Sequence, residues 1–424
     1  MPSTLPGDVV EASGYSNKTA ELLMNWQNTG SSQKSDAEIN RLVHEVALNP
    51  DFHLEDLKKF NAQQENRKSD TTAEQSPHLQ SFQEASIDIE VPSGSKHTPS
   101  RKFSIPGFHY RKIMAMIKEA YESPSALKFH YTPFKLYRKC PANGSEAEKN
   151  ERVYSEMYNS DALIDEHDKV QRAPTDDPTC KREKVVASLM FWSDVTHLTS
   201  FGTAKMWPIY MLFDELSKYI WAQPNSGATT HLAYIPSFPD FLQDQIKGFH
   251  AKWSTQKSEI LTHCRRELMH AVWRLLLDDD FLHAYTYGIV ICCADGVERW
   301  VYPRLFTYSA DYPEKYVCLS PICRFLIHSH FCRILLATIR HQGLCPCPRC
   351  LVLKSSTDKV GLVADTKIRV EKVRKYLADA VNEARKAIYT LGLPIGGAAV
   401  ERLLKPTSSV PTKVSSHLNH NYII

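Results

Sequence analysis

The chain has 424 residues, 42% hydrophobic and 23% charged, with a formal net charge of +3. That length suits two or three domains, or one large domain with flexible flanks. The composition is that of a soluble globular protein, and so small a charge excludes any argument for nucleic-acid binding from the chain as a whole.

The first residues, MPSTLPGDVVEASGY, carry no basic segment followed by an apolar one, so no secretory signal is expected. A run of about 18 apolar residues, the mark of a membrane-spanning helix, does not occur. Eleven cysteines, an odd number falling in short clusters, suit reduced thiols or metal ligands better than a disulfide framework. The expected compartment is the nucleus or cytoplasm.

Residues 1–95 are rich in Ser, Asn, Gln and charged side chains and are expected to be mostly disordered. Stretches such as NAQQENRKSDTTAEQSPHLQ bury too little apolar surface to offset ordering entropy. Within them, Ile39, Leu42, Val43, Val46, Leu54, Leu57 and Phe60 predict one or two short helices near 34–62.

A basic, aromatic, helical subdomain is expected over 96–184. Ten Lys and Arg face four Glu between residues 101 and 150, interleaved with Phe103, Phe108, Tyr110, Tyr121, Phe129, Tyr131, Phe134 and Tyr137. Arg101, Lys102, Arg111, Lys112, Arg138 and Lys139 are candidate phosphate contacts. The same pattern also fits aromatic core anchors beneath a solvated charged face.

The central domain is expected over 185–315. VVASLMFWSD (185–194), KMWPIYMLF (205–213) and HLAYIPSF (231–238) predict strands. Ile260, Leu261, Cys264, Leu268, Ala271, Val272, Leu275, Leu276 and Leu282 predict one long buried helix over 258–286. Two apolar runs joined by Ala294-Asp295-Gly296 then predict a hairpin. Apolar residues from Ile368 to Leu391 place a further helix at 366–391 in the last region, 334–412. Three strands, a helix, more strands and a helix are compatible with an RNase H-like α/β core, a mixed sheet with flanking helices.

Asp194 ends the first of these strands and Asp311 a later one. On adjacent strands the two carboxylates would share a pair of Mg²⁺ ions, since hard oxygen ligands suit that metal. Strand-terminal aspartates are also common turn formers. In CPCPRC, Cys347 and Cys350 have the spacing with which two thiolates grip one Zn²⁺ from a tight turn. Cys345 and His341 would add ligands; buried or free thiols are the competing reading. His263, Cys264 and His270 on the long helix are read as packing residues, and Asp278-Asp279-Asp280 as a solvated turn closing it.

The strings FWSDVTHLTSFGTAKMWPIYMLF, HLAYIPSFPD, LTHCRRELMHAVWRLLLDDDF, YGIVICCADGVERWVYPRLFTYSADYPEK and QGLCPCPRCLVLKS resemble the Plavaka-type transposases of fungal DNA transposons, relatives of the CACTA-like group of DDE transposases. The similarity runs from about residue 105 to 412. It implies an incomplete RNase H-like core that cuts transposon ends and joins them to target DNA with Mg²⁺ or Mn²⁺, in the nucleus and as a homo-oligomer. Asp194 matches the family's first catalytic carboxylate and Asp311 its second.

Two departures qualify that expectation. The family's third carboxylate, a Glu, lies beyond the VERLL…VPT region, which this sequence keeps at 400–412 before ending on KVSSHLNHNYII (413–424). The chain is therefore expected to be a truncated, inactive transposase, or else a transposon-derived factor that binds DNA or protein without catalysis. Residues 316–333 match nothing in the family and read as an insertion, most simply a translated intron. Their Cys318, Cys323, His328, His330 and Cys332 could also be read as a zinc site.

Overall fold

Apolar spacing sets the first elements. In the computed structural model, α1 (Lys18–Thr29) turns Ala20 and Met24 inward, four residues apart and so on one helical face. α2 (Asp36–Arg41) runs into a π-helical turn, Leu42–Ala47, that buries Val46. The polar stretch expected to be disordered holds α3 (Ala62–Ala73). Polar contacts anchor that helix: buried Glu65 accepts the Ser16 N–H at 2.8 Å and pairs with Lys68 at 3.0 Å. The residues described are 15–29, 36–73, 81–140, 149–173, 179, 181–197, 205–223, 226–310, 343–347, 350–374 and 377–412. Contacts divide the chain into two units, 1–83 and 84–424.

The larger unit opens with β1 (Gln83–Val91), β2 (Arg101–Tyr110) and α4 (Ile113–Glu122). A two-stranded ribbon, β3 (Leu136–Cys140) and β4 (Lys149–Val153), precedes α5 (Asp161–Gln171). Then come β5 (Glu183–Ser193), the short pair β6 (Thr196–His197) and β7 (Lys205–Met206), and β8 (Pro208–Phe213). α6 (Lys218–Trp221), β9 (Thr230–Tyr234), α7 (Asp240–Phe249), α8 (Trp253–Leu276) and α9 (Asp279–Tyr287) follow. The hairpin β10 (Ile289–Cys292) and β11 (Glu298–Ala310) completes the sheet. Beyond it lie α10 (Val363–Glu371), α11 (Ala378–Tyr389) and α12 (Ala398–Leu404).

Among the described residues the main sheet has seven strands in the order β1-β2-β9-β8-β5-β11-β10. β5, β8 and β9 are antiparallel neighbours, whereas β11 returns parallel to β5. β5 lies inside the sheet and both its faces are covered up to Trp192 near its end, which accounts for its nearly unbroken apolar run. Val185, Ala187, Leu189 and Phe191 face the main core, and Val186 joins Tyr302 and Phe306 in a second cluster with α5. α8 covers the main-core face: Ile260, Cys264, Leu268 and Val272 recur every four residues, and the Trp273 ring meets Phe191 edge-on at 5.3 Å.

Three elements differ from the sequence expectation. The single helix over 258–286 is two, because Asp278 caps a new one: its carboxylate accepts the Phe281 N–H at 2.9 Å. The helix over 366–391 is broken as well, since Val373 bridges to Cys350 and the Lys372 carbonyl accepts the Leu351 N–H at 2.8 Å. Residues 101–110, placed within a helical subdomain, form a strand of the main sheet that buries Phe103, Ile105 and Phe108. Asp311, His341, residues 316–333 with their Cys318, Cys323, His328, His330 and Cys332, and the tail at 413–424 lie outside the described residues. No helix among those described is long and apolar enough to cross a membrane.

Candidate active site

The site is built where β5 and β11 end together. Their parallel register pairs Ser193 with Ala310, and hydrogen-bonded strands lie about 4.8 Å apart. Asp194 follows the first of these residues in the chain, and Asp311 follows the second. The ends are tied by the Tyr308 hydroxyl, 2.7 Å from the Ser193 Oγ, and Trp273 of α8 braces Tyr308 from below at 5.6 Å between ring centroids.

Asp194 itself is half-buried and has no hydrogen bond or ion pair among the described residues. Its charge is felt nearby: burial first, and then Asp194, raise the Tyr210 hydroxyl above its ordinary pKa. A half-buried carboxylate at a rigid strand end, without a cation of its own, is a fitting oxygen ligand for a hard divalent ion. The described residues hold no group of three His, Cys, Asp or Glu placed to bind one metal ion.

On the sheet face away from α8, ring contacts run across three strands beside Asp194. Trp192 meets Tyr210 at 5.3 Å, Tyr210 meets His231 at 4.6 Å, and His231 meets Tyr234 at 5.6 Å. Trp192 is 45% exposed, which leaves this row open to solvent at its Asp194 end. Sequence reasoning passed over the row; period-two alternation within the three predicted strands was the available signal.

A second acidic place was missed as well. Asp214 and Glu215, directly after β8, are both buried. Glu215 Oε1 accepts the Tyr121 hydroxyl at 2.6 Å and the Ser188 N–H at 2.9 Å, while Ser188 Oγ donates to Asp214 at 3.0 Å. Burial pushes Glu215 up to about 7 and Asp214 well above the carboxylate range, the latter helped by Glu215. Ser188 is five residues up β5 from Ser193, about 17 Å at 3.3 Å per residue, so this pair is not part of the Asp194 site.

The six basic candidates do not form one patch. Arg101 and Lys102 are exposed at the start of β2, with Arg101 over the Phe103 ring at 5.2 Å. Arg111 is buried against Glu119, and Lys112 lies 3.6 Å from Asp278 and 3.5 Å from Asp280. Arg138 and Lys139 are exposed on the separate β3–β4 ribbon, where Arg138 pairs with Glu151. Asp278-Asp279-Asp280 is therefore a cap and an ion-pair partner as well as a turn.

The CPCPRC loop is held by an arginine. Buried Arg374 donates to the carbonyls of Cys347 at 3.0 Å, Cys345 at 2.7 Å and Cys350 at 3.4 Å. The Cys345 thiol points at the carbonyls of Leu351 and Pro406, 3.6 and 3.5 Å away, and Arg369 donates to the Cys350 sulfur at 3.6 Å. Burial raises both the Cys345 and Cys350 thiols, so with no metal ion beside them both favour the protonated form. His263, Cys264 and His270 sit in the core beneath α11. The His263 Nε2 lies 2.8 Å from the Tyr389 hydroxyl, burial holds both imidazoles well below their ordinary pKa, and burial pushes Cys264 up to about 12.

A mixed sheet in which two interior parallel strands end side by side before acidic residues defines an α/β protein with a candidate metal-dependent site. The family model described as Plavaka transposase matches residues 61–394 of the 424. The chain belongs to that family. No curated protein and no solved structure matches it. Membership implies transposase function, DNA partners and, in general, use of divalent metal.

Proposed function

We propose that this chain is a DDE-type DNA transposase on an RNase H-like core, with Asp194 and Asp311 as its first two metal-holding carboxylates. One observation carries the proposal: the register that pairs Ser193 with Ala310, one residue short of each aspartate. The strand pattern supports the core, since three antiparallel strands, β5, β8 and β9, are followed by β11 parallel to the first and beside it. Mg²⁺ or Mn²⁺ held there would activate a water or 3′-hydroxyl and stabilise the leaving oxygen. The protein's own part is rigidity: the Tyr308–Ser193 hydrogen bond and the Trp273 brace fix the strand ends that carry the carboxylates.

Two carboxylates are only part of the oxygen set that a pair of such ions needs. A transposon-derived factor that binds DNA or protein without catalysis is the second reading. Arg101, Lys102, Arg138 and Lys139 are the proposed phosphate contacts, while Arg111 and Lys112 are already engaged by carboxylates. The place of action is then the nucleus. Zinc at Cys347 and Cys350 would need ligands from outside the described residues.

Iron-directed backbone cleavage tests the metal site without relying on turnover. Ferrous iron replaces Mg²⁺ at oxygen ligands, and with ascorbate and peroxide it cuts the polypeptide next to where it binds. Cuts near residues 194 and 311 are expected, competed by Mg²⁺ and lost in both Asp194→Asn and Asp311→Asn. Cuts that persist in both variants would remove these aspartates from the site.

A further inference from the structure

A cavity of about 470 Å³ lies at Asp214, away from the strand ends that carry Asp194. Met190 of β5 borders it, two residues beyond Ser188 and so on the same face of the strand. Met157, Tyr154 and Trp221 give it thioether and aromatic surface. The volume falls in the range of about 300–1,000 Å³ typical of small-ligand sites.

Three charged residues line this cavity, and two of them are already paired. The Lys218 Nζ lies 4.0 Å from Glu156 and donates to the Ser155 carbonyl at 3.0 Å, while Glu156 also accepts the Lys218 N–H at 3.1 Å. Asp214 has no cation among the described residues, although it is only 4% exposed. Its Oδ2 accepts from the Ser188 Oγ at 3.0 Å; its Oδ1 accepts nothing and yet is not closed off from solvent. Burial, and after it the charges of Glu215 and Glu156, hold this carboxyl well above its ordinary range, a condition that a positive charge in the cavity relieves.

We propose that this cavity binds the ammonium group of an aliphatic amine, with the charge at Asp214 Oδ1 and the stem along Met157, Met190 and Trp221. An anion would meet two carboxyl groups there. A hard divalent ion would find too few oxygens, since the described residues place no three such ligands together. Ring and thioether surface beside a carboxylate suits an alkylammonium, which is soft along its stem and charged at its tip. A lysine side chain of a partner protein and a free diamine share this chemistry. The site does not depend on the reaction proposed above.

Calorimetric titration of the full chain tests it with two probes, Nα-acetyl-lysine methylamide for a lysine within a polypeptide and 1,4-diaminobutane for a free amine. The Nε-acetylated form of the lysine compound keeps the stem without the charge and serves as control. At least one amine should bind more tightly than the control by about ten-fold. Asp214→Asn keeps the side chain's shape and its acceptor for Ser188, and should erase that preference. Trp221→Ala, at a half-buried position, should weaken amine binding by about three-fold. Binding of the lysine compound alone assigns the site to a partner's side chain, and binding of the diamine alone to a free amine; binding of both upholds the ammonium site. Equal affinity for amines and control, no binding of either amine, a preference that survives Asp214→Asn, or an amine affinity untouched by Trp221→Ala overturns it.

Discussion

Asp194 and the Asp214–Glu215 pair both lie against strand β5, one at its end and the other beside Ser188 near its middle. They share a chemical type and differ in surroundings. Asp194 is half-buried and has no hydrogen bond or ion pair among the described residues; Glu215 is 1% exposed and accepts hydrogen bonds from Tyr121 and Ser188. Glu215 is sealed in the core, with Oε1 engaged and Oε2 buried, so a ligand from solution does not reach it. A carboxylate left open at a rigid edge costs little stability and keeps its lone pairs available. Burial and hydrogen bonding, not acidity, therefore separate a framework carboxyl from a candidate metal ligand.

Removing each side chain should break the comparison most sharply. Glu215→Ala strands the Tyr121 hydroxyl and the Ser188 N–H in the core and opens a void, a loss on the order of 2–4 kcal/mol. Asp194→Ala removes no partner and should change stability by about 0.5 kcal/mol or less. Urea denaturation of the two variants beside the parent chain measures both. A reversed order would mean that Asp194 is the structural residue.

The pH dependence of stability sharpens the same contrast at a smaller scale. Between its ordinary value of 4.5 and its folded value of about 7, Glu215 keeps its proton in the native state but loses it in the unfolded chain. The folded state then binds more protons, so this group's contribution falls as pH rises through that window, by at most about 1.4 kcal/mol per unit. Asp214 acts in the same direction. His263 and His270, held neutral by burial, oppose it below 6.5, where protonation favours the unfolded chain. Subtracting the parent profile from that of Glu215→Gln cancels the histidines. The variant should gain relative stability from pH 4.5 to about 7 and level off above it, and a flat difference would mean that Glu215 is ionised in the fold.

Much of this frame was legible in the residues, and what was not depended on contacts distant in sequence. The run at 185–194 is apolar because β5 is covered on both faces along most of its length, so its composition alone announces it. The hairpin at Ala294-Asp295-Gly296 was readable because Gly296 takes a φ of +78° that few other residues accept, and Asp295 both caps the turn and clasps Arg299 at 2.8 and 2.7 Å. Strand β2 was hidden by the Pro and Gly within RKFSIPGFHY, which blur its alternation. Asp214 and Glu215 went unremarked in the sequence, since nothing local reveals that Tyr121, 94 positions earlier, donates to Glu215. The position of Asp194 at the end of a strand could be seen at once. The cavity at Asp214 could not, being assembled from segments around 156, 190, 216 and 221.

The smallest expected effect reports most directly on Asp194. Tyr210 sits across from Trp192 on the neighbouring strand, and its hydroxyl is raised by burial and, after that, by the Asp194 charge. Asp194→Asn removes the charge while keeping the side chain's size, so the Tyr210 hydroxyl should titrate lower by a fraction of a pH unit. Adding Mg²⁺ to the parent chain should have the same sign, because a cation on Asp194 cancels the charge that Tyr210 feels. Tyrosine-resolved NMR titration reads both shifts, with Tyr234 as a control, since its own upward shift comes from burial and Tyr210 without Asp194. A Tyr210 value that moves with the substitution but ignores Mg²⁺ would place the charge correctly and deny it the metal. Glu215, sealed from the solution by Tyr121 and Ser188, should register neither change.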